Sequence, residues 1–379
     1  ESINYLQNDL EKAFLKAVLL LEREPSQHEA LTNSYRNLCK LNLERKNKQM
    51  ALHYFEKAKH TFEKIPNPNP RKKAQFYFDE ANMLFKQREI TASSLAIERV
   101  FKTLIPAYSS AKTVLPNQSA LYAETILLDV LDLQAELFLA QSQPKKALES
   151  YALAFHIEAL FQSLLVYENS KIIIQIRNRN RTERCIAIYQ SLFQKENKKN
   201  YLESAFLLAE KTKSIVLKAN LNLKKFQSHE EKLLLEQLQN HNTIIVKEQQ
   251  KGATAAISKI NDALKKQNEL MLLLKETQSK KGNTTKTEID LKELYTKLEK
   301  DNSILIEYFS GNDKTYSFTL TDKQISLNSF SNEAHTSLQI AQFIDYFNNA
   351  NAIANDVAGF SRYGNRIYKL LKLPTNSTR

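Results

Sequence analysis

The sequence of 379 residues is poor in the residues that interrupt helices and in those that form covalent frameworks. It contains five glycines, eight prolines and two cysteines. Few glycines and prolines favour long helices over tight turns. Two cysteines cannot build a disulfide framework, which favours a reducing compartment and predicts a cytoplasmic protein. No apolar run approaches the ~18 residues that a membrane span requires, so we expect no association with a membrane.

A signal-peptide pattern is also missing, but the chain opens at Glu1 rather than at Met. The compartment therefore stays open, because a segment before Glu1 could have been removed. The length predicts two or three domains. The seven histidines have no spacing that assembles a metal site, and we expect neither a metal nor another cofactor.

The net charge of +12 is concentrated in one segment of the chain. Residues 171–226 carry thirteen Lys and Arg against four Asp and Glu. The densest part is a basic patch formed by Arg177, Arg179, Arg181 and Arg184. Asn178 and Asn180 separate these arginines and favour a loop. The segment is either a solvated helical face or a docking surface for an acidic protein segment or for nucleic acid.

A pattern of small and large apolar residues recurs at helix-hairpin offsets in the first half of the chain. The small residue that opens the second helix of each pair falls at Ala13, Ala51, Ser93, Ala147 and Cys185. The pattern resembles tetratricopeptide repeats, in which small residues let two antiparallel helices cross closely, although its steps exceed about 34 residues. We therefore predict a mainly α protein whose residues 1–226 form an α-α superhelical, TPR-like solenoid. Cys39 and Cys185 occupy crossing positions, for which buried packing is the expected role.

The first helix of each hairpin is expected to line the free face of such a solenoid. The repeat register places six candidate partner-binding residues there: Arg36, Lys40, Phe78, Asn82, Lys86 and Tyr167. It also places three carboxylates further along, those of Asp129, Asp132 and Glu136. A groove with basic and aromatic residues at one end and carboxylates beyond suits an extended peptide. No carboxylate-clamp pattern identifies the ligand.

Residues 227–300 read as a long helical stretch with a break at Lys251-Gly252. The break predicts a helical hairpin, or else one long kinked helix, followed by a polar linker and a short helix over 288–300. Three short β-branched and aromatic segments follow, at 303–310, 314–321 and 323–330. With turn residues between them they predict a β-meander, and two helices are expected after it.

Two sequence blocks make a family resemblance specific. One is the helix with Ala209-Glu210-Lys211-x-Lys213, and the other is Ser303-Ile-Leu-Ile-Glu-Tyr-Phe followed by Tyr316-Ser-Phe-Thr-Leu. With the helical hairpin and Asp290-Leu-Lys-Glu-Leu between them, the whole chain resembles the bacterial TPR-CHAT proteins. In that family a tetratricopeptide array precedes a caspase-like CHAT domain. The resemblance implies that residues 301–379 are the N-terminal portion of an α/β caspase-like domain.

The family's activity is cysteine proteolysis by a His–Cys dyad, with the His in a His-Gly step and the Cys near a Gly. This sequence has no His-Gly dipeptide and no cysteine beyond Cys185. We therefore predict no catalytic residue in this chain, and cysteine endopeptidase activity only if the polypeptide continues past residue 379. The half-domain would have unpaired strand edges and an exposed helix face, covered by the missing catalytic half or by another element.

Three functions follow from these patterns. The leading interpretation is a protein- or peptide-binding regulatory and sensing region of a TPR-CHAT caspase-like cysteine protease. In this interpretation the solenoid binds a protein or peptide signal. Residues 171–226 and the helical hairpin then transmit the binding event to the CHAT domain. The alternative is a non-enzymatic helical-repeat adaptor scaffold. The third, less favoured, is a nucleic-acid-binding module that uses the basic patch, among whose arginines no aromatic side chain is available for base stacking.

Overall fold

The computed structural model describes residues 2–24, 26–111, 113–164, 168–213, 229–249, 289–332, 334–348 and 351–371, with isolated residues between 251 and 274. The chain divides into two compact units, Glu1–Leu164 and Leu165–Arg379. Both are built mainly from helices, as predicted. The predicted boundary after residue 226 lies outside the described residues.

The first unit is a series of helical hairpins. Its helices are α1 Ser2–Leu21, α2 His28–Glu44, α3 Lys48–Phe62, α4 Pro70–Lys86, α5 Ile90–Leu104, α6 Thr125–Ala140 and α7 Pro144–Leu164. Helix α2 packs with α3, α4 with α5 and α6 with α7, and α1 packs on α2 as the second helix of an incomplete pair. The first helices of successive hairpins are neighbours, because α4 contacts both α2 and α6. The predicted hairpin series is therefore present in this unit.

Small side chains let the helices of each hairpin cross closely. Ala51, Ser93 and Ala147 lie in the first turn of α3, α5 and α7, and all three are fully buried. The Ser93 hydroxyl donates to the Ala81 carbonyl at 2.7 Å, which satisfies the buried Oγ across the crossing. Neighbouring hairpins are joined by larger side chains, as where Phe76 of α4 stacks on the α3 residues Phe55 and Phe62. The core thus lies within and between repeats.

The three hairpin turns repeat one backbone geometry. Lys46, Arg88 and Ser142 each have a positive φ, of 60°, 71° and 59°. In each turn the next residue donates its N–H to the carbonyl five positions earlier, as from Glu89 to Leu84 at 2.9 Å. This is the Schellman ending of a helix, where glycine is the usual left-handed residue. In this glycine-poor chain other residues take the strained conformation.

The second unit joins a helical hairpin to a three-stranded sheet. Its elements in the described residues are α8 Glu168–Glu196, α9 Lys199–Thr212, α10 His229–Gln249, α11 Leu291–Lys300, β1 Leu305–Ser310, β2 Lys314–Leu320, β3 Ile325–Ser331, α12 Ala334–Asp345, α13 Ala352–Asn355 and α14 Val357–Leu371. The strands form an antiparallel sheet in the order β1-β2-β3, so the predicted β-meander is confirmed. Its register pairs Phe309 with Tyr316 and Phe318 with Leu327.

One face of this sheet packs on α8, α9 and α11. Alternate residues of β2, which are Tyr316, Phe318 and Leu320, are buried against Ile186 of α8, Phe206 of α9 and Leu298 of α11. The Phe206 and Phe318 rings meet edge to face with centroids 5.8 Å apart. The strands therefore share a hydrophobic core with the α8–α9 hairpin.

Two expectations about residues 171–192 are wrong. Residues 178–180 are helical rather than a loop, and Cys185 lies in the middle of α8 rather than at the start of a second helix. Helix α8 pairs with α9 instead. Asparagine is only mildly unfavourable in a helix, and burial of one side of α8 outweighs that preference. Cys185 is buried, as predicted.

The predicted helical hairpin after residue 227 lies only partly within the described residues. Gly252 and the linker at 280–286 lie outside the described residues. The Gln267 side-chain amide lies 3.5 Å from the Leu238 carbonyl, 29 residues earlier in sequence. A continuous helix would separate these residues by about 40 Å, so the contact favours a hairpin over one long kinked helix.

We expect glycine to stabilise the first unit at its left-handed turn residues. Arg88→Gly and Ser142→Gly should each raise the free energy of unfolding by about 0.5–1 kcal/mol, because glycine adopts positive φ without a Cβ clash. Thermal unfolding followed by circular dichroism measures the effect. Arg88→Ala is the matched control and should give no gain, since alanine keeps the Cβ. Equal gains from both variants would contradict the backbone explanation.

Candidate functional site

The candidate partner-binding face is formed by the first helices of the hairpins, α2, α4 and α6. Ion pairs link these helices across the face. Lys72 of α4 pairs with Glu29 of α2. Arg71 of α4 pairs with Glu124, the residue that caps α6, at 3.0 Å. These contacts connect the first helices of successive repeats at the surface.

Asp79 of α4 lies at the centre of this face and gathers the predicted basic residues. Its carboxylate accepts from Arg36 Nε and pairs with Lys40 Nζ at 3.2 Å. The Gln75 side-chain amide donates to the same carboxylate at 3.3 Å. Asp79 is only 7% exposed, so these contacts are poorly screened by solvent. Arg36 and Lys40 are thus brought together, but part of their charge is offset within the chain.

The other predicted partner-binding residues differ in how exposed they are to a ligand. Phe78 is half-buried and packs against the core around α5 and α6. Asn82 is half-buried and Lys86 is exposed on the same helix. Tyr167 lies outside the described residues. The open part of the face on α4 is therefore centred on Asn82 and Lys86.

The carboxylates predicted further along the face lie on α6. Asp129, Asp132 and Glu136 are all half-buried. Glu136 accepts a hydrogen bond from the Tyr151 hydroxyl of α7 at 2.6 Å, so it is used within its own hairpin. The face thus runs from a partly neutralised basic cluster on α2 and α4 to carboxylates on α6.

Cys39 borders the Asp79 cluster but lacks the character of a nucleophile. Burial, and to a smaller extent the nearby Asp79 carboxylate, raise the pKa of its thiol to about 12. The thiol is therefore protonated at neutral pH, whereas a nucleophilic cysteine needs a lowered pKa. Cys39 is buried, as expected for a packing residue.

Helix α8 separates the four arginines of the basic patch. Residues two apart in a helix lie about 200° apart, so Arg179 is on the opposite side from Arg177, Arg181 and Arg184. Arg179 Nε donates to the Ser310 carbonyl at the end of β1 at 2.6 Å. Arg181 is only 2% exposed, whereas Arg177 and Arg184 are exposed. Arg179 and Arg181 are therefore used inside the second unit.

Glu183 of α8 bonds to the turn between β1 and β2. Its carboxylate accepts from three successive backbone N–H groups of the β1–β2 turn, those of Asn312, Asp313 and Lys314, at 2.6, 3.0 and 2.8 Å. A Cβ at Gly311 would overlap this carboxylate, so glycine is required there for the close approach. The sequence gives no local sign of this contact, because its partners lie about 130 positions apart.

The two sequence blocks behind the family resemblance meet in the second unit. Lys213, directly after α9, pairs with Glu307 of β1 and with Glu210 of α9. Glu307 also accepts from the Tyr308 backbone N–H at 3.1 Å. This N–H and the Ser310 carbonyl lie on the outer edge of β1, because the odd-numbered residues of β1 bond to β2. The β1 edge is thus partly occupied by side chains.

The last helices present apolar side chains to solvent. Phe343 of α12 stacks on Phe360 of α14 and holds the two helices together. Five large apolar residues nearby are exposed: Leu338, Ile344, Phe347, Val357 and Tyr368. An exposed helix face was expected for a half-domain.

The described residues contain no helix that is both long and apolar enough to cross a membrane. Nor do three His, Cys, Asp or Glu side chains come together there as a metal site.

No family model and no curated protein matches the sequence. Among solved structures the chain is similar to BtubC (BKLC) from P. vanneervenii. The alignment has 14% sequence identity, covers 76% of this chain and 96% of that chain, and has a TM-score of 0.37. A likeness at this TM-score carries no argument about fold or function.

We expect removal of the Asp79 charge to destabilise the first unit. Asp79→Asn should lower the free energy of unfolding by about 1–2 kcal/mol, because Arg36 and Lys40 would then face each other without a carboxylate. Glu29→Gln removes an exposed ion pair of the same kind and should cost less than about 0.5 kcal/mol. Urea unfolding of both variants compares them. Equal losses would show that burial of Asp79 is unimportant.

Because the Glu183 carboxylate lies against Gly311, we expect a methyl group at residue 311 to destabilise the second unit. Gly311→Ala should destabilise the second unit by about 1–3 kcal/mol, since the added Cβ displaces the carboxylate from the turn. Gly364→Ala is the control, because its Cβ would meet Phe343 at an ordinary 3.4 Å. Thermal unfolding reports the difference, and a Gly311→Ala variant as stable as the control would refute the steric argument.

Proposed function

We propose that this chain is the partner-binding regulatory and sensing region of a TPR-CHAT caspase-like cysteine protease, located in the cytoplasm. The observation that carries the proposal is the meeting of its two family-like sequence blocks in one core. Lys213 pairs with Glu307, and Phe206 packs on Phe318. The two blocks, about ninety residues apart in sequence, thus belong to one core, which supports treating them as parts of one domain. Two buried free thiols support a reducing compartment.

The partner in this proposal is a protein or peptide held by the first helices of the hairpins. Asn82 and Lys86 form the open part of the α4 surface, next to the cluster around Asp79. A peptide with acidic groups suits the charge of Lys86 and the exposed part of Lys40. Helix α8 follows this unit in sequence and bonds to the sheet through Glu183, which supports a role in transmitting binding.

A non-enzymatic adaptor is the second candidate. The exposed apolar side chains on α12 and α14 favour it, because such side chains mark surfaces that assemble with another element. Under both candidate functions a partner covers this surface. The partner is the catalytic half of the CHAT domain for the protease and another protein for the adaptor. Nucleic-acid binding is the least favoured of the three functions, because Arg179 and Arg181 already make contacts within the second unit.

Thiol-dependent peptide hydrolysis by the whole natural polypeptide tests the leading proposal. We expect cleavage of a fluorogenic peptide library that iodoacetamide abolishes, because the family's chemistry uses a cysteine thiolate. Selection from a displayed random-peptide library gives the second arm. Lys86→Glu should weaken the selected peptides at least about tenfold, whereas Lys59→Glu on α3, outside the face, should not.

The two arms separate the candidates. Hydrolysis with peptide binding at Lys86 supports the regulated protease. Binding without thiol-dependent hydrolysis under any condition rejects the protease and leaves the adaptor. Equal effects of Lys86→Glu and Lys59→Glu would show that the predicted face is not the binding surface.

A further inference from the structure

The β1–β2 turn has the construction of an anion site. Three successive backbone N–H groups, from Asn312 to Lys314, converge on one carboxylate group. Convergent backbone N–H groups of this kind form an anion-binding nest. We propose that this turn is a carboxylate-binding site that Glu183 of α8 occupies from within the same chain, so that α8 is attached to the sheet through an exchangeable ligand.

The turn is held in shape by groups other than Glu183. The Asn332 backbone N–H donates to the Asp313 carbonyl at 2.8 Å, and its side-chain amide donates to the Gly311 carbonyl at 2.9 Å. The Thr315 hydroxyl donates to Asn332 Oδ1 at 2.7 Å. Gly311 and Lys314 close the hairpin with a backbone hydrogen bond of 2.8 Å. We therefore expect the N–H groups to stay convergent when the Glu183 side chain is removed.

The site also has the space and partners that a carboxylate needs. Glu183 is only 7% exposed, and Gly311 leaves open the volume that its carboxylate fills. The Asn312 side-chain amide donates to Asn180 Oδ1 at 2.6 Å, which adds a contact between α8 and the turn beside the site. Hydrogen bonds from N–H groups to an ionised acceptor are shorter and stronger than neutral ones. A carboxylate is thus favoured over a neutral carbonyl of the same shape.

Two consequences follow for the behaviour of α8. Loss of Glu183 from the turn leaves a site that a carboxylate from another molecule can fill, such as acetate or an acidic peptide side chain. The attachment of α8 to β1 and β2 then depends on competition for one small site. This inference does not rest on the proposed protease function.

Rescue of Glu183→Ala by acetate tests the inference. Hydrogen exchange of the Asn312, Asp313 and Lys314 amides should speed up at least about tenfold in the variant, because the three N–H groups lose their acceptor. Sodium acetate at about 0.1 M should restore most of the protection, and acetamide at the same concentration should not. Thr319 in β2 is the internal reference amide.

Glu183→Gln is the matched control variant. Its side-chain carbonyl still fills the site, so acetate should leave its exchange rates unchanged. If Glu183→Ala does not fold alone, refolding yield in acetate against acetamide gives the same comparison. The inference is overturned if acetate restores nothing, if acetamide restores as much, or if acetate protects Glu183→Gln equally.

Discussion

The second unit depends on the cover that α8 and α9 give to one face of a small sheet. A three-stranded sheet with one apolar face has to bury that face against a helix or another sheet. Ile186, Phe206 and Phe318 supply that contact. Apolar packing gives little directional control, whereas the Glu183 carboxylate bonds to three named N–H groups and so specifies where α8 crosses the hairpin.

The first unit is stabilised differently, because each hairpin must bury its apolar faces against the next hairpin. Small residues such as Ala51 and Ser93 set the crossing within a pair, and aromatic stacking joins pairs. Charged residues on the first helices add ion pairs between successive repeats. Arg36 shows the resulting compromise, because a side chain on the face that suits ligand binding is committed to Asp79. Asn82 and Lys86, which lie on the same face of α4, are therefore the residues more available to a ligand.

Sequence patterns over a few neighbouring residues predicted the strands and the helices whose formation depends on those residues. Alternation of apolar and polar residues located the three strands, and small residues near helix starts located α3, α5 and α7. The extension of α8 through Asn178 and Cys185 was missed, because tertiary burial decided against a weak local preference. Asp79 and Glu183 were not predicted as organising residues. Their partners lie 43 and about 130 positions away, and only the folded chain brings them together.

The side-chain contacts on the outer edge of β1 bear on how the protein behaves at high concentration. An edge strand with free N–H and carbonyl groups is a template on which a strand from another molecule can pair. Arg179 takes the Ser310 carbonyl, and Glu307 takes the Tyr308 N–H. A strand pairing at Tyr308 and Ser310 would have to displace two hydrogen bonds to charged side chains. The contacts that hold α8 and the sheet together thus also shield part of this edge from pairing between molecules.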